Sequence, residues 1–259
     1  IGIGEQNLAG VGSGMAAMGK IPFITSYAMF SPGRNWEQIR TTICYNDQDV
    51  KIVGSHAGVS VGPDGGTHQA IEDIAIMRVI PRMTVVVPCD ALEAKKATLA
   101  IAARRGATYL RLAREKTPVI TTEESPFEIG KANVLVDPDK PNIAIFACGQ
   151  SVYNALVAGK KLAKEGIHAA VINLHTIKPL DTKTILHFAK KASRILTVEE
   201  HQKHGGMGSA IAEFLAENYP IPMAILGVDD QFGQSGTPEQ LVEHYGLGVE
   251  AIVERVKVL

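Results

Sequence analysis

Cysteine is scarce: Cys44, Cys89 and Cys148 are the only three. They stand far apart and are odd in number, which argues against a disulfide framework and for reduced thiols beside apolar runs. No apolar run approaches the ~18 residues of a membrane-crossing helix, and the N-terminus has no basic stretch followed by an apolar one. Net charge is missing as well. With 26 Lys plus Arg against 27 Asp plus Glu, no overall field recruits nucleic acid or an anionic bilayer. These absences together lead to the expectation of a cytoplasmic protein. No G-x-G-x-x-G follows a β-branched run and no Walker P-loop occurs, so a nicotinamide or nucleotide-phosphate site is unsupported. Aromatics are few, at 5% of residues with a single Trp, so those lying beside polar clusters need explaining.

What the sequence does contain falls into two textures. Short β-branched runs recur at 22–27, 51–56, 84–88, 108–113, 142–149, 168–175 and 193–201. Helical periodicity occupies 6–18, 35–45, 68–78, 90–104, 151–164, 181–190 and 206–218. Short apolar runs alternating with helical stretches predict βαβ units and parallel sheets, because a strand buried on both faces has no polar side. The fold class is α/β. Prolines, acids and turn residues gather at 116–141, and a fresh strand-helix series begins at Asn142. Two consecutive domains, 1–124 and 125–259, are therefore expected, each a mainly parallel sheet flanked by helices. A first residue of Ile suggests part of a longer polypeptide.

In open parallel sheets ligands bind beyond the carboxyl ends of the strands, so the loops there carry the candidates. After the run at 51–56 comes SHAGVSVGPDGGTHQ (55–69), with His56, Asp64 and His68 in a glycine-rich setting. Such a loop lets backbone approach a ligand closely, and His with Asp supplies donors and acceptors for a hydroxylated substrate; a long turn with capping histidines uses the same residues. TSYAMFSPGRNWEQIR (25–40) sets Tyr27 and Phe30 at a strand end, either as core or as a ring face for a flat heterocycle. Arg34 and Arg40 have a solvating role open to them. The stretch YLRLAREK (109–116) carries Arg111 and Arg114, with Arg114 where the strand should emerge, placed to grip a phosphate or to pair with Glu115 or Glu123. His201 and His204 in EEHQKHGG invite a metal reading, but no cysteine or acid cluster completes a ligand set, and no metal site is assigned. The glycines there suit a helix start open to an anion. GIGEQN (2–7) leaves one carboxylate, Glu5, beside a nearly chargeless stretch.

Taken in order, GIGEQN, Tyr27-Ala-Met-Phe30, R-N-W-E-Q-I-R, SHAGVSVGPDGGTHQ with E-D-I-A-I-M-R, and L-A-R-E resemble the pyrimidine-binding domain of transketolase. CGQSVYNALVAGKKL, HTIKPLD, ILTVEEHQKHGG and DDQFGQSG resemble its C-terminal domain. The deoxyxylulose-phosphate synthases and the β subunits of oxoacid dehydrogenases share that architecture, while the pair His56 and His68 favours transketolase. The resemblance implies thiamine diphosphate as cofactor and transfer of a two-carbon ketol unit from a ketose phosphate to an aldose phosphate. It makes Glu5 the carboxylate on the cofactor's pyrimidine ring, Tyr27 and Phe30 the aromatics against that ring, and His68 the residue beside the reactive carbon. By the same resemblance His56 and Arg114 hold the sugar phosphate and Asp64 reads a hydroxyl.

The pattern departs from many relatives in having three residues, SPG, between Phe30 and Arg34 where they have two. The diphosphate-binding domain with its Gly-Asp-Gly signature is absent; Asp-Gly occurs only as Asp64-Gly65. The resemblance thus implies an N-terminal partner subunit or domain that holds the diphosphate and its Mg2+ or Ca2+, with activity only in a joint assembly that is also a homo-oligomer. It also implies that Glu5 becomes covered only in that assembly.

Overall fold

The computed structural model describes residues 1–259. Its first sheet is built from β1 (Phe23–Tyr27), β2 (Lys51–Ser55), β3 (Thr84–Val86) and β4 (Thr108–Arg111). Its second is built from β5 (Asn133–Val136), β6 (Ile143–Ala147), β7 (Ala169–Asn173), β9 (Ile195–Gln202) and β10 (Met223–Val228), with β8 (Thr176–Lys178) lying between β7 and β9 in the chain. β6 and β7 are buried along their whole length, as strands covered on both faces must be.

The sheet orders are β1-β2-β4-β3-β8 and β10-β9-β6-β7-β5. Pairing is parallel except at β3–β8 and β5–β7. β8 belongs by sequence to the second half of the chain, yet it completes the first sheet. No helix or strand occurs in 112–132, but the halves are not packed as separate bodies. One apolar cluster contains Ile24, Val85 and Tyr109 from the first half and Phe146, Ile172, Ile177 and Phe188 from the second.

The helices are α1 (Glu5–Ala17), α2 (Trp36–Gln38), α3 (Asp73–Arg78), α4 (Ala91–Ala103), α5 (Ser151–Lys164), α6 (Thr182–Lys191), α7 (Met207–Asn218), α8 (Pro238–His244) and α9 (Val249–Val258). Side-chain acceptors start several of them: Asp90 takes the Glu93 N–H at α4, Asp181 the Thr184 N–H at α6, and Thr237 forms a capping box with Gln240 at α8. The periodicity at 35–45 resolves into α2 followed by a π-helix, Ile39–Tyr45. There the Thr41 and Thr42 hydroxyls donate to the carbonyls of Glu37 and Gln38, one turn back, competing with the backbone ladder. The helix expected over 68–78 is confined to α3, the preceding residues forming turns and bends. No helix is long and apolar enough to cross a membrane.

Candidate active site

The carboxyl ends of β1, β2 and β4 open on one side of the first sheet, and α1 begins there. Glu5 is the first residue of α1, where unpaired N–H groups and the helix dipole favour a carboxylate. Ser26 Oγ donates to its Oε1 at 3.4 Å and Arg34 Nη1 to its Oε2 at 3.3 Å, while the buried Asn35 amide donates to its backbone carbonyl at 2.9 Å. These groups leave Glu5 only 7% exposed. The expectation that an assembly is needed to cover it is therefore corrected: its own chain closes over it. A cleft of about 400 Å³ opens beside it, lined by Ile3, Gly4, Gln6, Asn7 and Arg34.

Arg34, whose role the sequence left open, has two partners at once. Its guanidinium carbon lies 4.2 Å above the Phe30 ring centroid while the group donates to Glu5. Around Phe30 the rings gather: Tyr27 lies 6.3 Å away and nearly parallel, and His68 meets Phe30 edge-on at 5.3 Å. His56 stacks on Tyr27 at 3.9 Å. Tyr27, Phe30, His56 and His68 thus form one aromatic platform, with Glu5 connected to it through Arg34. A planar, N–H-bearing group already stacks on Phe30 and bonds Glu5, so the donor set fits an aminopyrimidine.

His56 follows β2 with φ of 56°, a left-handed conformation that costs strain for a residue with a Cβ. Burial holds its imidazole below the usual value, and the charge of Arg114 acts in the same direction, against Asp64 and Glu115. Arg114 donates to the Val61 carbonyl at 2.7 Å and lies 3.5 Å from Glu115, so both sequence alternatives, anion grip and local ion pair, remain compatible with its place. A cavity of about 470 Å³ continues behind Arg114, between Pro88, Cys89, Lys116 and Gln150.

Below the loop lies a buried polar network. Arg111 Nε donates to Asp73 Oδ2 at 2.7 Å and the Tyr109 hydroxyl to the same oxygen at 2.7 Å. Burial works to raise the Asp73 carboxyl, but Arg111, His201 and the Tyr109 hydroxyl together outweigh it and hold the group below its usual value. Glu199 and Glu200 on β9 are buried and pushed up by desolvation, only partly countered by backbone N–H donors. Glu199 accepts from Met207 N and Gly208 N, so the helix start expected to receive an anion is filled by the chain's own carboxylate. His201 is buried, donating from Nδ1 to the Gln202 carbonyl at 2.8 Å and accepting from Ala75 N at 3.3 Å. Both ring nitrogens are thereby used, and no group of three or more His, Cys, Asp or Glu side chains could hold a metal ion.

Comparison with known proteins bears on this geometry. Residues 1–119 match the family model of the transketolase pyrimidine-binding domain, and residues 130–252 match that of the transketolase C-terminal domain. The chain belongs to the transketolase family. It is 43% identical over 258 residues to a putative transketolase C-terminal section of Methanocaldococcus jannaschii, covering 98% of this chain and 80% of that protein. It is 41% identical to a 6-deoxy-6-sulfo-D-fructose transketolase subunit of a Clostridium species, covering 98% and 78%. With one subunit of an apulose-4-phosphate transketolase of Phocaeicola vulgatus it shares 38%, covering 97% and 80%. Among solved structures it superposes on a split-gene transketolase described as an inactive β4 tetramer, with a TM-score of 0.90 and 40% identity over 99% of this chain and 81% of that one. Transketolase-family architecture thus accounts for both sheets. The sequence left the role of Arg34 open and marked neither Gln150 nor Glu200; for Glu200 no local signal existed, since its partner Ser60 stands 140 residues away.

Proposed function

We propose that this chain is the C-terminal subunit or section of a transketolase that moves a two-carbon ketol unit from a ketose phosphate to an aldose phosphate. The observation that carries the reading is the guanidinium of Arg34, stacked on Phe30 and bonded to Glu5 in the manner a flat, donor-bearing ring requires. Thiamine diphosphate, when bound, supplies an acidic thiazolium carbon able to attack the donor's carbonyl. Glu5 is placed to share a proton with a pyrimidine nitrogen, and its near-complete burial strengthens that hydrogen bond. Phe30, with Tyr27 beside it, offers the ring face.

On this reading His68 holds and moves a proton at the substrate oxygen next to the reacting carbon. Asp64 accepts from a substrate hydroxyl, and His56 with Arg114 grips the distal anion. Residues 1–124 form the pyrimidine-binding unit and 125–259 the C-terminal one. The diphosphate and a Mg2+ or Ca2+ ion belong to an N-terminal partner subunit or domain, so the chain alone is inactive. A cytoplasmic location and assembly as a homo-oligomer belong to the same proposal.

The test mixes the chain with a diphosphate-binding partner subunit, thiamine diphosphate and magnesium, using xylulose 5-phosphate as donor and ribose 5-phosphate as acceptor. Transfer is expected in the mixture and not from the chain alone; no transfer with any partner would sink the reading. The names of two relatives point to a sulfo sugar and another sugar phosphate, so 6-deoxy-6-sulfofructose and apulose 4-phosphate complete the donor panel.

A further inference from the structure

We propose that Glu200, seconded by Gln150, is a positioning residue for the loop Ser55–Gln69: reaching across from β9, its carboxylate holds the Ser60 N–H and so fixes the segment between His56 and Asp64. The assignment rests on the reading of that loop as the substrate-binding one. Ser60 N donates to Glu200 Oε1 at 2.5 Å, and the Gln150 amide bridges the Ser60 hydroxyl and Glu200 Oε2. Gly58 makes room for this contact. A Cβ there would lie 2.5 Å from Glu200 Oε1, and its φ of 90° already disfavours any side chain.

Where the loop returns, Arg111 Nη2 donates both to the Ala70 carbonyl at 3.2 Å and to the Glu200 carbonyl at 2.9 Å. The Gly58 N–H in turn bonds the Ala70 carbonyl at 2.8 Å, so both ends of the loop are tied to β9. The next glycines face the second half too: a Cβ on Gly66 would strike the Gly233 carbonyl, and Gln69 donates to Val59 and Gln234 carbonyls. The sequence expected these glycines to admit a ligand, but Gly58 and Gly66 admit the C-terminal half of the chain instead. A buried carboxylate that reaches across two sheets to one backbone N–H contributes geometry more than stability, since an apolar group fills such space at less desolvation cost. What it fixes is the strained His56 and the carbonyl of Val61 that receives Arg114.

The experiment has two arms, run on Glu200→Gln, which keeps an acceptor for Ser60, and Glu200→Ala, which does not. Hydrogen exchange on the full chain alone is expected to rise about tenfold or more at the amides of 58–62 in the Ala variant, less in the Gln variant, with the β9 amides unchanged. In the reconstituted assembly the Ala variant is expected to raise donor KM by about tenfold while kcat changes less than about threefold, with the Gln variant restoring most of the loss. Unchanged exchange at 58–62 in both variants, or exchange that rises with donor KM unmoved, overturns the proposal. If the unaltered assembly transfers nothing, the functional reading fails while the exchange arm decides on its own whether Glu200 positions the loop. If Glu200→Ala fails to fold, Glu200→Asp, which keeps the charge but draws the carboxylate back by one methylene from the Ser60 N–H, carries both readouts by the same criteria.

Discussion

Arg34 and Glu5 hold each other: Nη1 of one lies 3.3 Å from Oε2 of the other, with the arginine side chain still half exposed and the glutamate covered. A ring arriving from solvent finds a carboxylate already oriented and an arginine free to swing aside. Because the carboxylate is covered, displacing Arg34 requires the incoming ring to supply a donor in its place.

Glu5→Gln keeps the volume and the Ser26 and Asn35 contacts but removes the carboxylate's capacity to carry a proton. Turnover of the assembly with the partner subunit is expected to fall by roughly 10²–10⁴. Sedimentation of the assembly is expected to be unchanged, and turnover within a few-fold of the unaltered chain would refute the assignment.

Arg111→Met leaves the Asp73 carboxylate, 2% exposed, with the Tyr109 hydroxyl as its main remaining partner. Breaking one side of a buried ion pair costs about 3–5 kcal/mol, whereas replacing both members with apolar groups costs far less. Urea unfolding is expected to show Arg111→Met less stable than Arg111→Met with Asp73→Leu. Equal or reversed midpoints would show that the pair is not a stabilising unit.

His175 is fully buried against Phe127, its Nδ1 beside the Thr176 hydroxyl and its Nε2 without a partner. Burial holds the imidazole below its usual value, with Glu93 and Asp181 opposing only in part. Its protonation is therefore easier in the unfolded chain. The contribution to stability is complete above the unfolded value of about 6.5 and is lost as pH falls through the lower folded value. His175→Gln is expected to narrow the gap between unfolding midpoints measured near pH 7.5 and near pH 5. An unaltered gap would mean that other groups set the acid sensitivity.

Gly66→Ala drives a methyl group into the Gly233 carbonyl, backbone against backbone, with no flexible side chain to yield. A loss of about 1–3 kcal/mol in stability is expected. Donor KM should rise as well because His68 lies two residues on; full retention of both would show that the two loops do not meet as described.

Much of this was written locally in the chain. β1, β2, β3, β4, β6, β7 and β9 lie within the apolar runs or a residue beyond them, and for β3, β4, β6, β7 and most of β9 the reason is that strands covered on both faces need uninterrupted apolar sequence. β5 and β8 escaped notice for opposite reasons. The first is antiparallel and half exposed, and the second is only three residues long. β10, α8 and α9 lie outside the apolar runs and periodic stretches, although Thr237-Pro238 with Gln240 is a legible helix start. In the site, the ring residues and histidines stood out as polar and aromatic groups at strand ends. Arg34 did not, because a guanidinium that solvates a helix and one that stacks on a ring leave the same letter in the sequence. Glu200 could not be found at all without the tertiary contact, since nothing near β9 announces Ser60.

The three residues of β8 have a practical bearing on any attempt to produce the first domain alone. Cutting the chain at 124/125 strips the antiparallel partner from β3, leaving the Val85 and Val86 backbone as an open edge with apolar flanks. Unpaired strand edges of this kind template association with other chains. The isolated piece is therefore expected to aggregate, and a soluble version would need residues 176–178 grafted back beside β3.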